Sequence, residues 1–232
     1  MSGPWRIAVV IPARNEQQLI GRCLESVAVA AASSRALPRR TSVDVVVVAD
    51  SCTDDTAAIA RSVAGVTVIE TAVASVGAAR RIGVAAALAA SAGPADRLWI
   101  ASTDADSVVP AHWLAAQTRL ARRGAELMLG TVTPEMADLS PEQQRAWRGR
   151  HTVGEVHGAN LGIRADRYLA VGGYAPLAEH EDVDLVARCI AAGVTPVATD
   201  ECDVTTSGRQ VGRTPGGYAR FLRTDLLADP TS

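Results

Sequence analysis

The chain has no lysine. All 23 of its basic residues are arginine, which excludes a lysine Schiff base and a phosphate-loop lysine, and with them several enzyme classes. It also lacks a GxGxxG fingerprint behind its first strand-like run, where Pro12, Ala13, Arg14, Asn15 and Glu16 stand instead. A nicotinamide or flavin enzyme is therefore disfavoured, and a methyltransferase is weakened. The 4 cysteines, Cys23, Cys52, Cys189 and Cys202, show neither a CxxC nor a metal-ligand spacing. They read as reduced, mostly small core residues of an intracellular protein. A net charge of −2 gives no electrostatic reason to expect nucleic acid or an anionic membrane as partner. The longest stretch without a charge, Ile82 to Ala95, is too short and alanine-rich for a membrane span. MSGPWR runs into an apolar segment without a leader pattern, so a cytoplasmic location is expected, with peripheral membrane contact left open.

What is present suits one sizeable α/β domain: 232 residues, 48% hydrophobic and only 3% aromatic. Ile7 to Ile11 and Val43 to Ala49 are continuous apolar runs of the kind found in strands buried on both faces. Between them, Leu19, Ile20, Cys23, Leu24 and Val27 recur at helical spacing within Glu16 to Ser34. Ser51, Thr53 and Asp54 offer N-cap chemistry for a helix through Ala64. Val66 to Ile69 predicts a third strand, Ser75 to Ala90 a helix, and Leu98 to Ser102 a fourth strand. Strands alternating with helices imply a doubly wound, mostly parallel sheet.

Beyond residue 110 the pattern loosens. Helices are expected over Ala111 to Arg123, Pro141 to Arg150, Asp166 to Val171 and Asp182 to Ala192, with strands over Glu126 to Val132, Val194 to Ala198 and Val204 to Thr206. The tail from Pro215 to Leu227 has helical periodicity.

In an open parallel sheet ligands bind outside the carboxyl ends of the strands. Here those positions carry PARNE, DSCTDD and TDADS. In an extended segment Asp104 and Asp106 lie about 6–7 Å apart at the backbone and share a face, so they can converge on one magnesium or manganese ion beside a diphosphate. The spacing alone serves equally for an acidic turn at the start of the helix after Pro110. Glu16 likewise suits a first-turn helix carboxylate, and Asp50 a turn.

Taken in order, PARNE, VVVVADSCTDDT, VGAARRIGV, TDADS, HGANLGIRADRYLAVGGY and HEDVDL resemble the family 2 glycosyltransferases of the GT-A fold, over about residues 6 to 195. The resemblance implies one GT-A domain over 1–232, with a nucleotide-binding half at 6–107 and an acceptor-binding half with a C-terminal helix at 108–232. It implies donor contacts from Pro12, Ala13, Arg14, Glu16, Asp50, Arg80, Asp104 and Ala105, and metal binding by Asp106 with Asp104. It implies Asp182 as the base that takes the acceptor proton, and His157, Gly158, Asn160, Gly173 and Glu181 on the acceptor side. Arg209 and Arg213 in SGRQVGR suit bidentate contact with a diphosphate. Some relatives use a late histidine as a further metal ligand, and no histidine follows His180. Arg145, Arg148 and Arg150 suit either an exposed polar helix or contact with an anionic acceptor.

The expected activity is thus metal-dependent, inverting transfer of a sugar from a nucleoside diphosphate to a hydroxyl. A sugar-phosphate nucleotidyltransferase competes with it, but PARNE lacks the glycine-rich activation loop of that class. A silent sugar-nucleotide-binding module is the other competitor, and the intact acidic segments speak against it.

Overall fold

The computed structural model describes residues 5–35, 41–150, 152–212 and 216–228. Eight strands form one sheet in the order β3-β2-β1-β4-β7-β6-β8-β5. The first part follows the expected alternation: β1 (Arg6–Ala13), α1 (Ile20–Arg35), β2 (Ser42–Asp50), α2 (Thr56–Ser62), β3 (Val66–Thr71), α3 (Val76–Ala89) and β4 (Leu98–Ser102). β1 pairs in parallel with β2 and β4, and β2 with β3.

Successive side chains of a strand point to opposite faces, and β1 shows what that does here. Ile7, Val9 and Ile11 join a core with Ile20, Leu24 and Val27 of α1. Ala8 and Val10 join another with Ala79, Val84 and Ala87 of α3. Both faces of the central strands are covered, which is why these strands read as unbroken apolar runs. β3, the edge strand, is only half-buried.

The later elements are β5 (Ser107–Val108), α4 (Trp113–Arg122), β6 (Leu127–Pro134), α5 (Pro141–Arg150), β7 (Leu161–Arg164), α6 (Ala165–Ala170), α7 (Glu181–Ala191) and β8 (Val197–Thr206). β7 is a strand the sequence pattern does not announce. It runs antiparallel to both β4 and β6, so the sheet is mixed on this side. β8 is one continuous strand where two short ones were expected. Its ladder with β6 shifts register between Gly130 and Val132, and this irregularity absorbs the polar stretch Asp200–Asp203. The tail forms a helical turn at Tyr218–Arg220 and then a wider-wound turn over Phe221–Asp225. Leu222 and Leu226 of that tail bury themselves with Leu139 and with Trp147 of α5, in a small core apart from the other two.

Two helix starts differ from expectation. α2 begins at Thr56 because Asp54 accepts from the Thr56 amide (3.0 Å) and hydroxyl (2.5 Å), while Ser51 sits in the left-handed region at φ 54°. α1 begins at Ile20, after a turn in which the Glu16 carbonyl accepts from the amides of Leu19 and Ile20. Among the described residues no helix is long and apolar enough to cross a membrane.

Candidate active site

The loops after β1 and β2 are sewn together by polar side chains. Asn15, at φ 53°, accepts from the Thr53 amide at 2.8 Å, and the Glu16 amide donates to the Thr56 hydroxyl at 2.7 Å. Asp50, buried at the end of β2, accepts from the amides of Ala74 and Ser75, both at 3.0 Å. Ser75 in turn caps α3 and donates its hydroxyl to the Leu177 carbonyl. Gly77 permits this close approach: a β-carbon there would lie 2.1 Å from the Ala175 carbonyl oxygen.

The acidic segment after β4 is a turn, not the extended segment from which its geometry was first reasoned. The Ser107 amide donates back to the Asp104 carbonyl at 3.1 Å, and the Cys23 thiol of α1 donates to the same oxygen at 3.3 Å. Nor does the turn cap α4, whose N-cap is His112 with no acid in the first turn.

Two adjoining cavities open over this rim. The first encloses about 270 Å³ and is lined by Pro12, Ala13, Arg14, Glu16, Asp50, Asp104, Ala105, Asp106 and Arg209, together with Ser75, Thr206 and Tyr218. The second encloses about 370 Å³ and is lined by Arg80, Asp104, His157, Gly158, Glu181, Asp182 and Tyr218, among others. Val76, Asp104, Thr206 and Tyr218 line both.

Arg209 lies between two acids of the first cavity. Its Nη1 donates to Glu16 (2.9 Å to Oε2), and its Nη2 pairs with Asp106 Oδ2 at 2.8 Å. Burial pushes the Asp106 carboxyl up to about 6, Asp104 adds to that, and Arg209 opposes it. Among the described residues no three or more His, Cys, Asp or Glu side chains gather as a chelating set. Asp104 and Asp106 supply hard oxygen ligands, and two carboxylates suit a cation that brings further oxygens with it from a diphosphate and water.

Arg80, implied among the donor contacts, lines the second cavity and not the first. It is 2% exposed, donates from Nε to Glu181 at 2.9 Å and from Nη2 to Asp104 at 2.5 Å, and lies over the Tyr174 ring. Burial works against its charge, but Asp104, Tyr174 and Glu181 outweigh that and hold the guanidinium protonated. Glu181, itself buried, has its carboxyl pushed up by burial and pulled down by Arg80. Asp182, at the start of α7, is half-buried, and its Oδ1 accepts from the Val183 amide at 2.8 Å. A β-carbon on Gly158 would lie 2.6 Å from Arg80 Nη2 and 3.2 Å from Asp182 Oδ2, so this glycine lets both side chains reach the cavity.

Two expected acceptor-side residues are structural. Asn160 is fully buried, accepts from the Trp113 indole at 2.9 Å, and donates to the Thr131 and Cys202 carbonyls at 2.8 and 2.9 Å. Gly173, at φ 72°, packs under the Tyr168 ring and lines neither cavity. Arg213 lies outside the described residues, as does the side chain of Arg150; Arg145 and Arg148 are exposed on α5 and line neither cavity. Ser75 and Tyr218 are site residues the sequence reading missed. The only signal for Tyr218 is its pairing with Phe221 one helical turn on.

The sequence profile of glycosyl transferase family 2 matches residues 8–161, more than half of the chain. A comparison with curated protein sequences gave no match. Among solved structures, TarS 1–349 of S. aureus superposes with a TM-score of 0.60 at 16% identity, covering 88% of this chain and 61% of its own. The mannosyltransferase PcManGT of Pyrobaculum calidifontis, in complex with GDP-Man and Mn2+, gives 0.64 at 21% identity, covering 91% and 59%. Glucosyl-3-phosphoglycerate synthase of Mycobacterium tuberculosis, in complex with Mg2+ and UDP, gives 0.55 at 16%, covering 87% and 70%. The chain thus spans about three fifths of the first two of these proteins. At such identities the superpositions speak for the fold, a GT-A nucleotide-sugar transferase sheet, and the profile match carries the family. The chain belongs to glycosyl transferase family 2.

Proposed function

We propose that this chain is a single transferase domain that moves a sugar, with inversion, from a nucleoside diphosphate to a hydroxyl acceptor. The carrying observation is that the two cavities meet at Asp104 and Tyr218, with the strand-end acids on one side and Asp182 on the other. In this reading the first cavity takes the donor. Pro12, Ala13, Arg14, Glu16 and Asp50 bound the nucleoside, and Asp50 also fixes the Ala74–Ser75 backbone beside it.

A divalent cation held by Asp106 and Asp104 would neutralise charge on the departing diphosphate. Arg209 is within reach of the same anion, and guanidinium suits bidentate contact with phosphate oxygens. Asp182 takes the proton of the acceptor hydroxyl as that oxygen attacks from the face opposite the diphosphate. Arg80 orients this end of the site by holding Glu181, the neighbour of the base, against Asp104.

A thermal-shift screen of sugar nucleotides with and without manganese tests the reading, since a ligand that binds only the native state raises the melting temperature. A shift with one donor, larger with manganese, followed by transfer from that donor to an alcohol, is the expected result. No shift and no donor turnover with any sugar nucleotide would overturn it.

A further inference from the structure

The second cavity has a sign. Among the described residues five carboxylates line it, Asp104, Glu155, Glu179, Glu181 and Asp182, against one guanidinium, Arg80. That guanidinium is already claimed twice, by Glu181 and Asp104. The remaining three acids are met by neutral donors: the Thr152 hydroxyl on Glu155 at 2.8 Å, the Gly216 amide on Glu179 at 2.7 Å, and the Val183 amide on Asp182. His157 faces Glu155 at 3.7 Å and adds positive charge only when protonated. An anionic group entering this space meets like charge in a partly desolvated setting, where charges interact several times more strongly than in water.

The cavity also has an aromatic wall. Tyr218 is fixed by Phe221 stacked at 5.8 Å and by Trp147 edge-on at 6.1 Å, so its ring is a rigid surface. Among the described residues the Tyr218 hydroxyl and Nη1 of Arg80 have no hydrogen-bond partner, and both atoms are buried. A flat aromatic surface in a space lined by carboxylates, which accept hydrogen bonds, suits a ligand with an apolar face and a rim of hydroxyls.

We infer that the acceptor taken by this cavity is an uncharged carbohydrate ring, stacked by its apolar face against Tyr218, and that acceptors bearing a phosphate or carboxylate are excluded. The inference rests on the glycosyltransferase reading and deepens it. The exclusion belongs to the pocket itself: the exposed arginines of α5, which would favour an anion, do not line the cavity.

The test uses the full chain with whichever sugar nucleotide the thermal-shift screen selects, at pH 8. Methyl α-mannoside and methyl α-glucoside are compared with their 6-phosphates and with methyl glucuronide. Transfer to at least one neutral glycoside, with kcat/KM at least tenfold lower for its charged counterparts, is expected. In Glu155→Arg the ratio of neutral to phosphorylated turnover should fall at least fivefold. Equal or better use of the 6-phosphates or the glucuronide by the parent protein overturns the inference, as does hydrolysis of the donor with transfer to none of the neutral glycosides. Absence of donor binding and of donor hydrolysis instead overturns the glycosyltransferase reading and is told apart by that step alone.

Discussion

In the first cavity the acids come with partners: Glu16 and Asp106 share Arg209, Asp104 holds Arg80, and Asp50 takes two backbone amides. In the second, Glu181 also holds Arg80, but among the described residues Glu155, Glu179 and Asp182 accept from neutral groups, apart from the histidine beside Glu155. The contrast fits the roles proposed for the two spaces. In that reading the first receives a diphosphate with its cation, charge of both signs, and its acids are held beforehand in ion pairs that such a ligand could replace. A base must accept a proton, and a carboxylate already gripped by a guanidinium is a poor one. In the proposed reading Asp182 is that base, and among the described residues no guanidinium forms an ion pair with it.

The sharpest way to break this comparison is Asp182→Asn. Transfer should fall by roughly two to four orders of magnitude while donor affinity, read by calorimetry, stays near the parent value. Collapse of donor binding would move Asp182 to the other cavity's function. Next in size is Asp106. Asp106→Asn should weaken manganese-dependent donor binding by about 10–100-fold, the scale seen when a metal site loses a supporting group.

The same variant should be more stable than the parent at pH 8, by roughly 1–3 kcal/mol or a few degrees in Tm. Burial raises this carboxyl to about 6 from 3.8, so the folded state favours the protonated form. That contribution is complete below about pH 3.8 and is lost as the pH rises through about 6. The gain should therefore vanish at pH 4, and a variant equally stable at both pH values would deny the burial argument.

A smaller effect separates metal from donor. Arg209→Gln should weaken donor binding by about tenfold, the loss of one charge-assisted contact, yet manganese alone should bind more tightly because nothing competes for Asp106. If both weaken together, Arg209 organises the acids and does not compete with the cation. Smallest is Trp147→Leu, which loosens the support of Tyr218. The acceptor KM should rise about threefold with donor affinity unchanged, and a change confined to the donor would place the Tyr218 ring on the wrong side of the comparison.

The first cavity was largely legible in the sequence because its residues follow strands that announce themselves. β1, β2 and β4 are apolar on both faces, so their ends, and the polar loops behind them, can be located by composition alone. The second was legible only in pieces. Asp182 and Glu181 open a strongly amphipathic helix, and His157 and Gly158 precede β7, but LGIR is too short and mixed to read as a strand. Asn160 was expected in the site because the HGAN loop resembles acceptor-side loops of the family. In the fold it meets an indole and two carbonyls from elements far away in the chain, which local pattern cannot reveal. The partners of Arg80 were hidden for the same reason: α3 was legible, but the acids that claim its side chain lie 24 and 101 positions further on. Tyr218 depends on a satellite core formed by the tail and α5, a pairing without a periodic signature.

The position of Arg80 has one more consequence. Its guanidinium is held in common by Asp104, which in the proposed reading faces the leaving group, and by Glu181, the neighbour of the proposed base. Whatever draws Asp104 toward an incoming cation leaves Arg80 to Glu181 alone and alters the field in which the second substrate docks. By thermodynamic reciprocity, the factor by which one ligand changes affinity for the other is the same in both directions. In the proposed reading a single interior side chain would thereby couple the filling of the two cavities.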